Sequence, residues 1–289
     1  MKMNVNAWIN LNKIPDHSSY DMVRILKRRF NSKMGYLGTL DPIATGVLPV
    51  GLGTATKLIY YCDNMDKSYT FTIQWGIDYD SIDRTGNIIG TCQKRFSILE
   101  IDAVIPKFIG YIEQVPPRFS AVKINGVRAY SLMRKGITDF DIKGRMVNVY
   151  DLRILSHTGE KTTFFMHCGK GVYVRSIIRD IANNLGGLAH VVELRRDHVG
   201  PFLLENAEDP NSSTRFYPLD YILDKNFQLN MSRDDALNIL QGKTVNYSES
   251  LEDGKTYYAK SREFLMMMRY EQDMLIPKKN VRIEPEFIL

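Results

Sequence analysis

The chain has 289 residues, 44% hydrophobic and 25% charged, with a formal net charge of +5 at pH 7. That length suggests about two domains whose core needs no covalent staples, and no apolar run approaches the ~18 residues that span a bilayer. Three cysteines (Cys62, Cys92, Cys168) without a C-x-x-C pair argue against a disulfide framework, five histidines without zinc-ligand spacing predict no metal, and residues 1–12 lack a signal-peptide core, so a cytoplasmic protein is expected.

Ser18 and Asp21 form a capping-box pattern that opens a helix over 20–30, with Val23, Leu26 and Phe30 on one face. The stretch 21–33 carries five bases (Arg24, Lys27, Arg28, Arg29, Lys33) against one acid, which suits a solvated helix face or a nucleic-acid partner. A glycine- and proline-rich loop follows over 35–57, and Asp41 is its only carboxylate. Glycine lets backbone approach a ligand closely and proline fixes the direction of a turn, so Asp41 is a candidate nucleophile or base. Asp-Pro is also a common turn pair, and a purely structural loop is the competing reading. A phosphate-binding loop would need Lys where Leu52 stands, and the dinucleotide fingerprint fails at Thr56, so no nucleotide cofactor is expected.

Residues 69–75 alternate large β-formers and predict a strand, followed by an acidic turn over 78–86. The spacing predicts helix over 97–109 with a break at Pro106, and a short helix over 127–135 stopped by Gly136. Between them, 114–130 interleaves Arg118, Lys123 and Arg128 with Phe119 and Tyr130. That is the makeup of a surface that grips a nucleic-acid backbone and stacks its bases, although a plain loop and amphipathic helix share it. Strands are predicted over 146–155 and 162–168, then a helix over 174–185 that ends at Gly186-Gly187. At the start of that helix, Tyr173 and Arg175 face one side if 171–175 is still extended. A cation in a helix's first turn is disfavoured, which makes a specific acidic partner for Arg175 more plausible. After about Asp220 the composition shifts, with a helix from Ser232 through Leu240 and strands over 256–260 and 264–270. Strands and helices alternate without a βαβ rhythm, so the fold class is α+β.

Five motifs then stand in order: Gly35 to Pro49 (G-x-x-G-x-L-D-P-x-A-T-G-V-L-P), Lys67-Ser68-Tyr69, Gln114 to Gly126 (Q-x-P-P-x-F-S-A-x-K-x-x-G), Gly171 to Ser176, and Leu185 to Phe202 with Leu194-Arg195-Arg196. On these residues the chain resembles the TruB family of tRNA pseudouridine synthases, from about Lys13 to Phe202. The resemblance implies a central mixed, mostly antiparallel sheet with flanking helices and a catalytic cleft. It implies a catalytic domain over 1–224, with an RNA-gripping thumb-like insertion at about 114–145, and a small PUA-like RNA-contacting module over 225–289. By resemblance Asp41 is the catalytic carboxylate paired with Arg175, Tyr69 stacks on the target base, and Tyr173 and Leu194 line the uridine pocket. Tyr36 belongs to the same substrate-binding set, and Lys67, Arg118, Lys123, Arg128 and Lys170 are RNA-contact candidates.

The implied reaction isomerises the T-loop uridine at tRNA position 55 to pseudouridine, without cofactor or metal. The implied partner is the T-arm stem-loop of tRNA, with no membrane, no obligatory protein partner and a monomeric enzyme. A non-catalytic RNA-binding or RNA-folding protein, or a synthase acting on a different RNA, is the alternative. Three departures stand out. Tyr36 replaces the family's usual His and carries no positive charge near neutral pH. The N-terminal motif is degraded to Asn12-Lys13-Ile14-Pro15-Asp16-His17-Ser18-Ser19, and Tyr79 stands where Thr is common.

Overall fold

The computed structural model describes residues 3–62 and 64–283. Seven strands form the path of the main sheet: β1 (Ala7–Lys13), β2 (Thr45–Leu52), β3 (Lys67–Trp75), β4 (Gly110–Gln114), β5 (Arg145–His157), β6 (Lys161–Cys168) and β7 (Ala189–Val199). Their spatial order is β1-β2-β7-β3-β6-β5-β4, and short strands Met34–Tyr36 and Phe202–Leu203 attach to β2 and β7. Every pairing is antiparallel except β2 with β7, which run parallel over two residue pairs, Thr45 with Arg195 and Gly46 with Arg196. The α+β expectation therefore holds, with a sheet that is mixed and mostly antiparallel.

The α-helices among the described residues are α1 (Ser19–Leu26), α2 (Ile98–Val104), α3 (Ala129–Arg134), α4 (Val174–Asn184) and α5 (Arg233–Leu240). On β3, Tyr69, Phe71, Ile73 and Trp75 share one buried face, and α4 lays Ile177, Ile178 and Ile181 into the same core. Burying that alternating row is what holds β3 at the centre of the sheet. The capping box of α1 forms as read, with the Ser18 hydroxyl accepting from Asp21 N–H and the Asp21 carboxylate answering Ser18. The helix stops four residues short of the expected Phe30. Arg28 and Arg29 close the last turn with i→i−3 bonds to Ile25 and Leu26, and Phe30 swings into the core. The expected helix over 127–135 also loses its start. Val127–Arg128 pairs with Lys123–Ile124 across Asn125-Gly126, both at positive φ (48° and 84°), as a two-residue Asn-Gly hairpin turn requires.

Beyond Ile222 the chain builds a second, four-stranded sheet from Val245–Asn246, β8 (Thr256–Lys260), β9 (Phe264–Glu271) and β10 (Met274–Arg282). It has its own core around Ile239, Met266, Met268 and Leu275. A separate cluster joins it to the main sheet, where Tyr258, Leu265, Met267 and Val281 meet Trp8, Val47, Phe202 and Leu219. The last part of the expected C-terminal module, 284–289, lies outside the described residues. No helix among the described residues is long and apolar enough to cross a membrane.

Candidate active site

Asp41 sits on the loop that joins Met34–Tyr36 to β2, and an internal turn and two outside side chains hold that loop. Asp41 O accepts from Ala44 N–H (3.0 Å), closing a turn around Pro42. The Ser19 hydroxyl, at the start of α1, accepts from Leu40 N–H (2.9 Å) and donates to Leu40 O (3.2 Å). Lys13, wholly buried at the end of β1, donates to Ile14 O (3.0 Å), Pro42 O (2.9 Å) and Ala44 O (2.5 Å). Burial pushes the Lys13 ammonium down to about 8, with the Asp41 carboxylate acting in the opposite direction.

Arg175 meets Asp41 with both prongs of its fork, Nε to Oδ2 at 2.8 Å and Nη2 to Oδ1 at 2.9 Å. Its side chain is 4% exposed against 32% for Asp41, so the carboxylate faces the opening and the guanidinium backs it. Two more donations fix the guanidinium plane, Nη1 to Ser81 O and Nη2 to Phe119 O, each 2.9 Å. Behind it lies a second carboxylate, the buried Asp83, whose Oδ2 is 3.9 Å from Arg175 Nε. Asp83 is itself pinned by Ser81 Oγ, Thr85 N–H and Thr85 Oγ1. One guanidinium thus ties together the Asp41 loop, the acidic turn and the segment after Pro116-Pro117. Bidentate geometry of this kind fixes the orientation of a carboxylate as well as its charge environment.

The helix expected from Val174 forms, so the extended backbone ends at Tyr173. α4 begins at Val174, so Arg175 lies in the first helical turn. Tyr173, the extended N-cap residue, and Arg175 nonetheless both line one cleft. The Asp41 carboxylate offsets the poor placement of a cation at that helix end. Gln114 holds the junction by reading both backbone groups of Tyr173, accepting from its N–H (2.8 Å) and donating to its O (3.2 Å).

The cleft has a volume of about 100 Å³ and brings together Asp41, Tyr69, Tyr173, Arg175 and Leu194, with Thr39, Leu40, Val172 and Val174. Tyr69 is 8% exposed, and burial pushes its phenol up to about 12, so it stays protonated at neutral pH. The Arg145 guanidinium lies over the Tyr173 ring at 5.1 Å. The remaining expected residues fall outside the lining. Tyr36 is half-buried in its short strand near Arg128. Lys67 donates to Met65 O (2.9 Å), and Lys123 and Lys170 are exposed. Arg118 donates to Thr138 O and lies over the Phe140 ring, while Arg128 donates to the Tyr130 hydroxyl (3.2 Å). Among the described residues no group of three His, Cys, Asp or Glu side chains could hold a metal ion.

Sequence reasoning missed Lys13, Asp83 and Gln114 as parts of the site. Lys13 and Gln114 stood inside motifs already singled out.

The cleft thus sets one carboxylate, held by a guanidinium, beside a buried tyrosine and a leucine on a mostly antiparallel α+β scaffold. Residues 24–174 match the family model described as TruB family pseudouridylate synthase (N terminal domain). The chain is 40% identical over 253 residues to tRNA pseudouridine synthase B of Caulobacter vibrioides, covering 83% of this chain and 81% of that protein. It is 47% identical over 204 residues to the protein of the same name from Ehrlichia ruminantium, covering 70% and 69%. In fold it is similar to a chain of a solved Cbf5-Nop10-Gar1 complex, with TM-score 0.69, 21% identity, and coverage of 95% of this chain and 84% of that one. The chain belongs to the TruB family of pseudouridylate synthases.

Proposed function

We propose that the chain isomerises the T-loop uridine at tRNA position 55 to pseudouridine, with Asp41 as the reacting carboxylate. The observation that carries this reading is the two-pronged Asp41–Arg175 pair at the mouth of a cleft floored by Tyr69 and walled by Leu194. The relatives' name, tRNA pseudouridine synthase B, supports the substrate.

Such an isomerisation breaks the bond from the uracil nitrogen to the sugar and forms a bond from carbon 5 to the same sugar carbon. The hydrogen leaves carbon 5 and a proton ends on the freed nitrogen, so no electrons are gained or lost. The target base must first leave the stack of the RNA loop. Tyr69, protonated and largely buried, offers a ring face to the extruded uracil, and Leu194 covers its edge. Asp41 then acts on the sugar, as a nucleophile or as a base. Arg175 supplies its counter-charge without moving, because Ser81, Phe119 and Asp83 already hold the guanidinium.

Around this centre the reading places a catalytic domain over 1–224, a thumb-like RNA grip at about 114–145 bearing Arg118, Lys123 and Arg128, and a small PUA-like RNA-contacting module from 225 onward. Lys67 and Lys170 add positive charge beside the cleft. The enzyme acts as a cytoplasmic monomer on the T-arm. The test is to incubate the purified protein with a T-arm stem-loop and map pseudouridine at single-nucleotide resolution. Conversion at one loop uridine is expected. An unmodified T-arm, or pseudouridine at other positions only, would overturn the proposal.

A further inference from the structure

Arg196 on β7 is 1% exposed, and none of the ion pairs among the described residues includes it. Its guanidinium is satisfied instead by backbone carbonyls, with Nε donating to Val47 O (2.8 Å) and Nη2 to Gly38 O (2.9 Å) and Leu37 O (3.4 Å). These acceptors are not random. Leu37 and Gly38 lead into the loop that carries Asp41, and Val47 leads out of it. The same guanidinium lies beside the Tyr69 phenol. The backbone of Arg196 pairs with Gly46, at the other end of the loop. Packing is tight at both ends. A Cβ on Gly38 would lie 2.9 Å from Arg196 Nη1, and one on Gly46 would lie 2.2 Å from Arg196 O.

A buried cation without a carboxylate is a poor device for stability, since a well-packed apolar side chain generally serves a sheet as well or better. A planar fork that donates in several fixed directions is, however, a good device for setting distances. We propose that Arg196 is a positioning residue: one rigid guanidinium clasps both ends of the Asp41 loop and the Tyr69 phenol, and so sets the height of the carboxylate above the stacking ring. This rests on the reading that Asp41 and Tyr69 serve one nucleotide. Lysine cannot replace it, because a point charge on a flexible stem reaches one end of the loop and leaves the other unheld.

The test uses Arg196→Lys, with Arg196→Met as a second variant, and reads both turnover of a T-arm stem-loop and amide hydrogen exchange. For Arg196→Lys, kcat falls about 100-fold while KM for the RNA stays within about twofold, the size of loss that a misplacement of about 1 Å produces. Exchange over 37–47 quickens about tenfold in both variants, with α4 and the C-terminal sheet unchanged. Wild-type kcat in folded Arg196→Lys would overturn the proposal. So would a loss carried by KM alone, or unchanged exchange over 37–47 in both variants. If the wild-type protein forms no pseudouridine, the proposed function fails, and the exchange measurement still decides whether the clasp exists.

Discussion

Lys13 shows how one side chain can pull activity and stability in different directions. Its ammonium gives two hydrogen bonds to the backbone just after Asp41, at Pro42 O and Ala44 O, and a third to Ile14 O, and burial lowers it from 10.5 to about 8. Between those two values the unfolded chain holds more protons than the folded one, so this group's contribution to stability improves as pH rises through the window. The loop loses one of its donors over the same range. Turnover should therefore fall with a midpoint near pH 8 while the melting temperature shows no loss from this group. In Lys13→Arg, which keeps its charge, that limb of the pH–rate profile should vanish; its persistence would remove Lys13 from the account. At this scale the sequence was most readable where local chemistry was odd. A lone acid among glycines and prolines marked Asp41, and a cation at the wrong end of a helix marked Arg175. Asp83 stayed hidden because an acid in an acidic turn looks solvated, and only a contact 92 positions away along the chain, to Arg175, makes it part of the site.

Among the elements, β2 and β7 matter most, because their short parallel pairing places the Asp41 loop over β3. Neither strand was legible. β2 reads Thr-Gly-Val-Leu-Pro-Val-Gly-Leu, and its glycines and proline mimic a loop, although the strand is almost wholly buried. β7 carries register shifts between Val191 and Glu193 and between Arg196 and His198, which break the two-residue alternation that sequence reading relies on. α4 and β3 were legible because each shows one clean period against one core. The β2–β7 junction has a sharp test in Gly46, which adopts φ +94° with no room for a side chain. Gly46→Ala should cost more than about 2 kcal/mol in urea unfolding, from backbone strain and the collision with Arg196 O together. A loss within about 0.5 kcal/mol, the range of an ordinary surface substitution, would mean the junction yields easily.

At the scale of the whole molecule, the two sheets are bound by a shared apolar cluster in which Trp8 also donates its indole N–H to Leu219 O (3.0 Å). Removing the chain beyond 224 should strip Tyr258, Leu265, Met267 and Val281 from that cluster and lower the melting temperature of the remaining domain by about 5 °C or more. An unchanged melting temperature would show that the C-terminal sheet is a passive appendage. The arrangement makes mechanical sense, since the backbone at Trp8 and Val47 belongs to the strands that end at Lys13 and begin at the Asp41 loop. Both sheets therefore support the loop that carries Asp41, the carboxylate proposed to react. The most direct measurement is tritium release from a T-arm stem-loop whose uridines are labelled at carbon 5, run with the wild-type protein and with Asp41→Asn. Release stoichiometric with the single target uridine is expected from the wild type. None is expected from Asp41→Asn, although it should bind the RNA with affinity within about threefold, since a neutral isostere removes the reacting charge and keeps the shape of the cleft. Near-normal release by Asp41→Asn would contradict the role assigned to Asp41.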